Sequence, residues 1–290
     1  MVIWINYNKK NDKKSTGIVV WNFNVDFLGT YRRKNLQVKV KDWNINYEVL
    51  GKGNPVILLH GWLATLETMR PIANNLSQNF EVYLVDVVGF GKSDLPEHPL
   101  KTDDFGNFLK DFIKALDIKN PILIGHSNGG RTIINAVGRG IVQAKKVVLI
   151  DSAGLKPKRS INYYLKVGFY KTGKFILNLL PNTKTIKAFK EKLRNSVGSS
   201  DYKASANVLK ETMKVIVNED LSHLLPKINV PTLLFWGTLD TATPISDGRK
   251  MEKLIPDCGL IEYQGATHFS YLENINHFNT VLNEFLKNDK

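Results

Sequence analysis

A single cysteine, Cys258, among 290 residues rules out an internal disulfide. No Cys/His cluster has the spacing of a zinc site, so neither a metal nor a cofactor is expected. Long apolar runs are missing too. None approaches the ~18 residues that a membrane-spanning helix requires, and Val2–Ile5 is too short for the apolar part of a signal peptide. These absences point to a reducing, cytoplasmic setting. Internal repeats and low-complexity tracts are absent as well.

Acidic residues are the scarcer sign. Forty Lys/Arg face twenty-seven Asp/Glu, a net charge of +13. The excess is local: residues 155–225 hold fourteen Lys/Arg against five Asp/Glu, residues 1–34 hold seven against two, and the remainder is close to neutral. A nucleic-acid partner would require basic residues interleaved with exposed aromatics on a recognisable module, and no such module is present, so nucleic acid is excluded. A solvated basic surface is what the charge alone supports. With 43% hydrophobic and 23% charged residues the chain is that of a globular protein with ample core, and its length suits one α/β domain carrying an insertion.

The patterning is regular from Leu36 onward. Leu36, Val38 and Val40, then Ile45, Tyr47 and Val49, alternate with polar residues as in a hairpin turning at Asp42-Trp43-Asn44. Val56–Leu59, Val82–Val85, Pro121–Ile124 and Val147–Ile150 are continuous apolar runs, as strands buried on both faces must be, and Pro231–Trp236 and Leu260–Tyr263 read as two further strands. Helical segments over 65–77, 102–116, 131–137 and 271–286 alternate with them. This order predicts an α/β fold with a mainly parallel sheet covered on both faces and functional groups at the carboxyl ends of the strands.

Two segments depart from the alternation. Residues 1–34 form an N-terminal extension in which Val19, Trp21, Phe23, Val25 and Phe27 have the period of a half-buried strand after the basic loop Lys9–Lys14. An added hairpin or an aromatic-basic arm would fit. Residues 155–225 read as an all-helical insertion, with Ile161, Tyr164, Leu165 and Phe169 on one stripe and Tyr202, Ala206, Leu209, Met213, Ile216 and Val217 on another. The core is then 35–154 together with 226–290.

Pro121-Ile-Leu-Ile-Gly-His-Ser-Asn-Gly-Gly-Arg131 runs from a strand into a helix through a corner occupied by Ser127. Gly125 and Gly129 permit so sharp a turn, which lifts the hydroxyl clear of the backbone at a helix N-terminus. A serine hydroxyl becomes a nucleophile only when a base takes its proton, and that base needs an acid to hold its tautomer. Asp240 and His268 each follow a strand, in the order expected after such a serine. Asp151 also ends a strand and is the rival acid. The histidines at 98, 126, 223 and 277 do not end strands in the required way. Backbone N–H groups of Asn128 and Trp62 are the candidate donors for an oxyanion hole. Gly91-Lys-Ser93 resembles the end of a phosphate loop, but Asp86 stands where that loop needs glycine. Gly51-x-Gly53 lacks its third glycine, because Val56 occupies the position.

With these residues in place the chain resembles the α/β-hydrolase superfamily over residues 36–154 and 226–288. His60-Gly61-Trp62, Asp86-x-x-Gly89-Phe-Gly91-x-Ser93, Gly125-His-Ser-x-Gly129, Trp236-Gly-x-x-Asp240 and His268 stand in the superfamily's order and spacing. The resemblance implies a mostly parallel eight-stranded sheet, a structural turn at Asp86–Ser93, and a helical cap over the active site at 155–225. Serine at 127 argues against the dehalogenase and epoxide-hydrolase branches, which look for aspartate there. What the resemblance implies for function is a serine hydrolase cleaving a carboxylic ester or related acyl compound through an acyl-enzyme, with Ser127, Asp240 and His268 as the triad. Two rivals on the same fold are a carbon–carbon bond hydrolase of ring-fission diketones and a ligand-binding protein with little turnover. The expected partner is a small acyl substrate with a hydrophobic part. A weak contact of the basic cap or N-terminal arm with an anionic membrane surface or an acidic carrier protein is a further expectation, and the sequence is silent on oligomeric state.

Overall fold

A computed structural model describes residues 23–25, 31–157 and 206–290. Nine strands form one sheet: β1 (Phe23–Val25), β2 (Tyr31–Val40), β3 (Trp43–Leu50), β4 (Asn54–Leu59), β5 (Phe80–Val85), β6 (Ile122–His126), β7 (Lys146–Ile150), β8 (Thr232–Gly237) and β9 (Cys258–Tyr263). Their spatial order is β1-β2-β3-β5-β4-β6-β7-β8-β9. From β5 to β9 every pairing is parallel, while β1, β2 and β3 join antiparallel at one edge. Eight strands are those expected, and the ninth is the three-residue β1 contributed by the N-terminal extension.

The pleat divides the strand residues between two cores. Ile57, Leu59, Leu123, Leu149 and Trp236 face one side, where α2 (Thr102–Ala115) supplies Phe105, Phe108 and Phe112 and α3 (Asn128–Gly138) supplies Ile133 and Ile134. Val56, Leu58, Ile124, Val148 and Phe235 face the other, against Ile72 and Leu76 of α1 (Arg70–Leu76) and Phe278 and Leu282 of the last long helix (Ile275–Phe285). Helices on both faces explain why the central parallel strands β4, β6, β7 and β8 are apolar without alternation.

Several boundaries differ from those read in the sequence, each for a local reason. The hairpin turns at Lys41-Asp42, with Lys41 at φ 53°, so Trp43 pairs with Val40 and opens β3 rather than lying in the turn. β2 starts at Tyr31, inside the stretch assigned to the extension. The segment after β4 is a 3₁₀ turn, Leu66–Met69, leading into α1, whose first turn contains Pro71. The closing helix is broken at Asn274 (φ −128°, ψ 34°), which separates a single turn, Ser270–Glu273, from the long helix.

Of the insertion, 158–205 lie outside the described residues, as does most of the predicted N-terminal strand. The described part beyond the gap, from Ala206, is fastened to the body. A helix over Asn207–Ile216, α4, sends Leu209 and Ile216 into the core with α2 and α3. The Leu100 N–H donates to Thr212 Oγ1 (3.0 Å) and the Thr102 N–H to Glu219 Oε2 (3.2 Å). Buried Arg131 donates to the Glu219 carbonyl (3.1 Å) and, although burial lowers it to about 10, stays cationic at neutral pH. Among the described residues no helix is long and apolar enough to cross a membrane.

Candidate active site

β4 and β6 are neighbours, with Leu59 opposite Gly125. The chain passes from β4 to β5 on one side and to β6 on the other, so the crevice at this reversal lies at their carboxyl ends. Gly61 and Ser127, two residues beyond Leu59 and Gly125, are brought side by side. A Cβ on Gly61 would lie 2.9 Å from His126 Nδ1 and 3.1 Å from Ser127 Cβ. Trp62 follows, its ring edge-on to Phe90 at 4.9 Å.

Ser127 itself sits at φ 51°, ψ −113°, a conformation that typically costs a non-glycine residue about 1–3 kcal/mol. Its N–H is held by the Ile150 carbonyl (3.0 Å), and α3 starts at the next residue, Asn128. The first N–H groups of a helix have no partner within it, so the Asn128 amide is available beside the Ser127 hydroxyl. The flanking glycines are a steric requirement: a Cβ on Gly125 would come within 2.5 Å of the Gly129 backbone, and one on Gly129 within 2.2 Å of the Leu59 carbonyl.

The three residues predicted to act together are together. His268 Nε2 lies 3.0 Å from Ser127 Oγ, and His268 Nδ1 lies 2.8 Å from Asp240 Oδ2. With Nδ1–H donated to the carboxylate, Nε2 is the acceptor for the serine proton. The Asp240 side chain is fully buried, and its other oxygen accepts the N–H groups of Ala242 (2.8 Å) and Thr243 (3.0 Å). Burial by itself would raise this carboxyl, but the bond and charge of His268 and the bonds from Thr243 together hold it below the usual carboxylate range. It is therefore ionised at neutral pH, which favours the imidazolium that forms when His268 takes a proton.

The rival groups are occupied elsewhere. The Asp151 carboxylate accepts from Gly237 and Ser270, and burial pushes it up to about 7 against those bonds. His277 has its ring 3.3 Å from the Tyr263 hydroxyl, exposed His223 lies against the Asp220 carbonyl, and His98 is exposed. His126 packs its ring 4.9 Å from that of His268, and its Nε2–H donates to the His268 carbonyl (2.7 Å). Sequence reasoning did not assign that anchoring bond, since it joins residues 142 apart. Thr243, whose hydroxyl lies 2.7 Å from Asp240 Oδ2, was also missed, although a threonine three residues after an aspartate is a recurrent way to close such a turn.

Two buried imidazoles are held neutral. Burial, then the neighbouring His268, pushes His126 down to about 3, and burial likewise lowers His60, whose Nδ1–H donates to the Gly61 carbonyl while Nε2 accepts from the Val87 N–H. A lowered histidine contributes stability above its ordinary value near 6.5 that is lost as pH falls toward the folded value. In an NMR titration from pH 8 to 5 the ring protons of His126 are expected to stay flat. A full titration step at His126 would contradict its burial.

Asp86 confirms the turn expected at 86–93: its carboxylate accepts from Leu66 N, Lys92 N and Asn46 Nδ2, and a Cβ on Gly91 would lie 2.2 Å from Asp86 Cγ. The loop wraps a carboxylate and offers no cradle for a phosphate. The Cys258 thiol is pushed up to about 12 by burial and is not a nucleophile at neutral pH. Among the described residues no group of three His, Cys, Asp or Glu could hold a metal ion.

Known proteins similar to this chain are numerous. A pimeloyl-acyl-carrier-protein methyl ester esterase of Legionella pneumophila (strain Paris) is 27% identical over 256 residues, spanning 84% of this chain and all of its own. The same-named esterase of Shewanella woodyi is 28% identical over 266 residues, spanning 84% of this chain and 98% of its own. Among solved structures, a serine hydrolase involved in carbazole degradation superposes with a TM-score of 0.66 at 25% identity, covering 87% of this chain and 98% of that one. The sequence profile of the alpha/beta hydrolase fold matches residues 54–275, and the chain belongs to that family.

Proposed function

We propose that this hydrolase cleaves a carboxylic ester through an acyl-enzyme formed on Ser127. The observation that carries the reading is the continuous path from Ser127 Oγ to His268 Nε2 (3.0 Å) and from His268 Nδ1 to Asp240 Oδ2 (2.8 Å), at a helix N-terminus. Ser127 Oγ attacks the ester carbonyl carbon as its proton passes to His268. The carbonyl oxygen becomes an oxyanion, held by the N–H groups of Asn128 and Trp62. Losing one such donor typically costs about 2.7–4 kcal/mol of barrier lowering. His268 then protonates the departing alkoxide and the C–O bond breaks. Water, giving its proton to the same nitrogen, releases the acid and restores the serine.

An apolar acyl group suits the surroundings, because Leu63, Leu239 and Phe269, each next to a site residue, are 37%, 61% and 39% exposed. The finer reading is an acyl ester presented by an acidic carrier protein. It is supported by the Legionella and Shewanella relatives, named as esterases of an acyl-carrier-protein methyl ester, by the net charge of +13, and by the concentration of that charge in residues 155–225 and 1–34. In this reading residues 155–225 are the cap that selects the substrate, and the core is 35–154 with 226–290.

A fluorophosphonate probe is expected to label wild-type protein at Ser127, and p-nitrophenyl esters to be hydrolysed. Folded protein that does not label would end the serine-hydrolase reading. Turnover of a vinylogous diketone without ester hydrolysis would put carbon–carbon cleavage in its place, and tight binding without turnover would make the chain a binding protein. For the carrier, a methyl acyl ester on acyl-carrier protein should be preferred over the free ester at low salt, with the preference shrinking as salt rises. A preference indifferent to salt would count against the electrostatic contact.

A further inference from the structure

We propose that Asp151 is a positioning residue of the same site, whose carboxylate ties the loop that carries the acid to the loop that carries the base. This rests on the ester-hydrolase reading and adds to it a group outside the triad. β7 lies between β6 and β8, so Asp151 emerges beside both Ser127 and the loop leading to Asp240. Its Oδ1 accepts the N–H of Gly237, the last residue of β8 (2.8 Å). Its Oδ2 accepts the N–H (3.0 Å) and hydroxyl (2.7 Å) of Ser270, two residues after His268. The backbone of the same residue joins in, since the Asp151 carbonyl lies 3.0 Å from the Thr243 hydroxyl, which also meets Asp240 Oδ2. Asp151 is fully buried, and Ser270 with it.

One carboxylate thus spans residues 86 and 119 positions away, and both are neighbours of the groups that must meet. An amide of the same shape accepts at one end and donates at the other, so Asn at 151 would present N–H hydrogens either to Gly237 or to Ser270 and release one loop. Its effect falls on the distance between His268 and Asp240, and a displacement of about 1 Å in a reacting constellation can cost about 10²-fold in rate.

The test uses p-nitrophenyl butyrate hydrolysis by the full chain, with active sites counted by fluorophosphonate titration. Asp151→Asn is expected to lower kcat about 10- to 100-fold with KM little changed. Ser270→Ala, which removes one of the two bonds to Oδ2, is expected to give a smaller drop. In a His268→Ala background the Asp151 substitution should change nothing further, since no base remains to be positioned. Folded Asp151→Asn protein with wild-type kcat would overturn the proposal, and so would an equal loss in the His268→Ala background, which would mark a purely structural role. Should Asp151→Asn not fold, Ser270→Ala decides, and an unchanged kcat there overturns the proposal. If the wild type neither labels nor turns over, the ester-hydrolase reading has failed on its own. The clamp is then read from the NMR signal of the His268 Nδ1 proton, which Asp151→Asn should shift or broaden and which an idle Asp151 would leave in place.

Discussion

Ser127→Ala is expected to lower kcat on an aryl ester by about a million-fold, the scale seen when the nucleophile of a serine hydrolase is removed, and to abolish fluorophosphonate labelling. The fold should survive. Alanine at φ 51° is strained as serine is, the N–H bond to Ile150 is a backbone bond, and the lost hydroxyl belongs to no core contact. The residual rate should exceed that of water, because the amides of Asn128 and Trp62 and the binding surface are untouched and such elements alone retain about 10³–10⁴-fold. Progress curves at high enzyme concentration, with thermal unfolding as the control, make the comparison. A folded alanine variant that kept a substantial share of the activity would remove Ser127 from the nucleophile's role.

Asp240→Asn is expected to cost about 10⁴-fold in kcat, as in other triads, and the geometry says why an isosteric change does so much. Asp240 Oδ1 already receives two backbone N–H groups, from Ala242 and Thr243. The amide oxygen of an asparagine would stay with those donors, leaving its NH₂ against His268 Nδ1. That nitrogen must then accept, the ring proton moves to Nε2, and the atom that should take the serine proton is already protonated. Rates of ester hydrolysis and of fluorophosphonate labelling should fall together. The decisive comparison is with Asp151→Asn: were that the more damaging substitution, the acid of the triad would be Asp151.

How much of this was legible in the sequence depended on whether a signal was local. β4, β6, β7 and β8 announce themselves as apolar runs because both their faces are covered, and the glycines at 125 and 129 mark a turn that no larger residue could make. The order of Ser127, Asp240 and His268 followed from strands that end where reactive groups can gather. The helix over Ile245–Leu254 was not anticipated, since only Gly248 and Met251 on it are buried and the glycine's place against Trp236 leaves no apolar stripe to detect. Ser270 and His126 carry no local signature either. Their roles arise from strand order, which sets β7 beside β8 and β9 beyond it, and the positions of neighbours in a parallel sheet are separated in sequence by whole crossover connections. Trp43 shows a smaller case, in which a turn of two residues, rather than three, moved it into the strand.

The hydrogen bond between Ser127 and His268 closes a span of 141 residues, and it does so through parallel strands. Loop closure of that length is costly before it is rewarded, and parallel pairing is correspondingly slow to form. A partly folded chain complete through β7 would already hold its serine in the strained turn, bonded to Ile150, with no base beside it. Competence to react therefore requires β8 and β9 in place beside β7, because only they bring Asp240 and His268 to the serine.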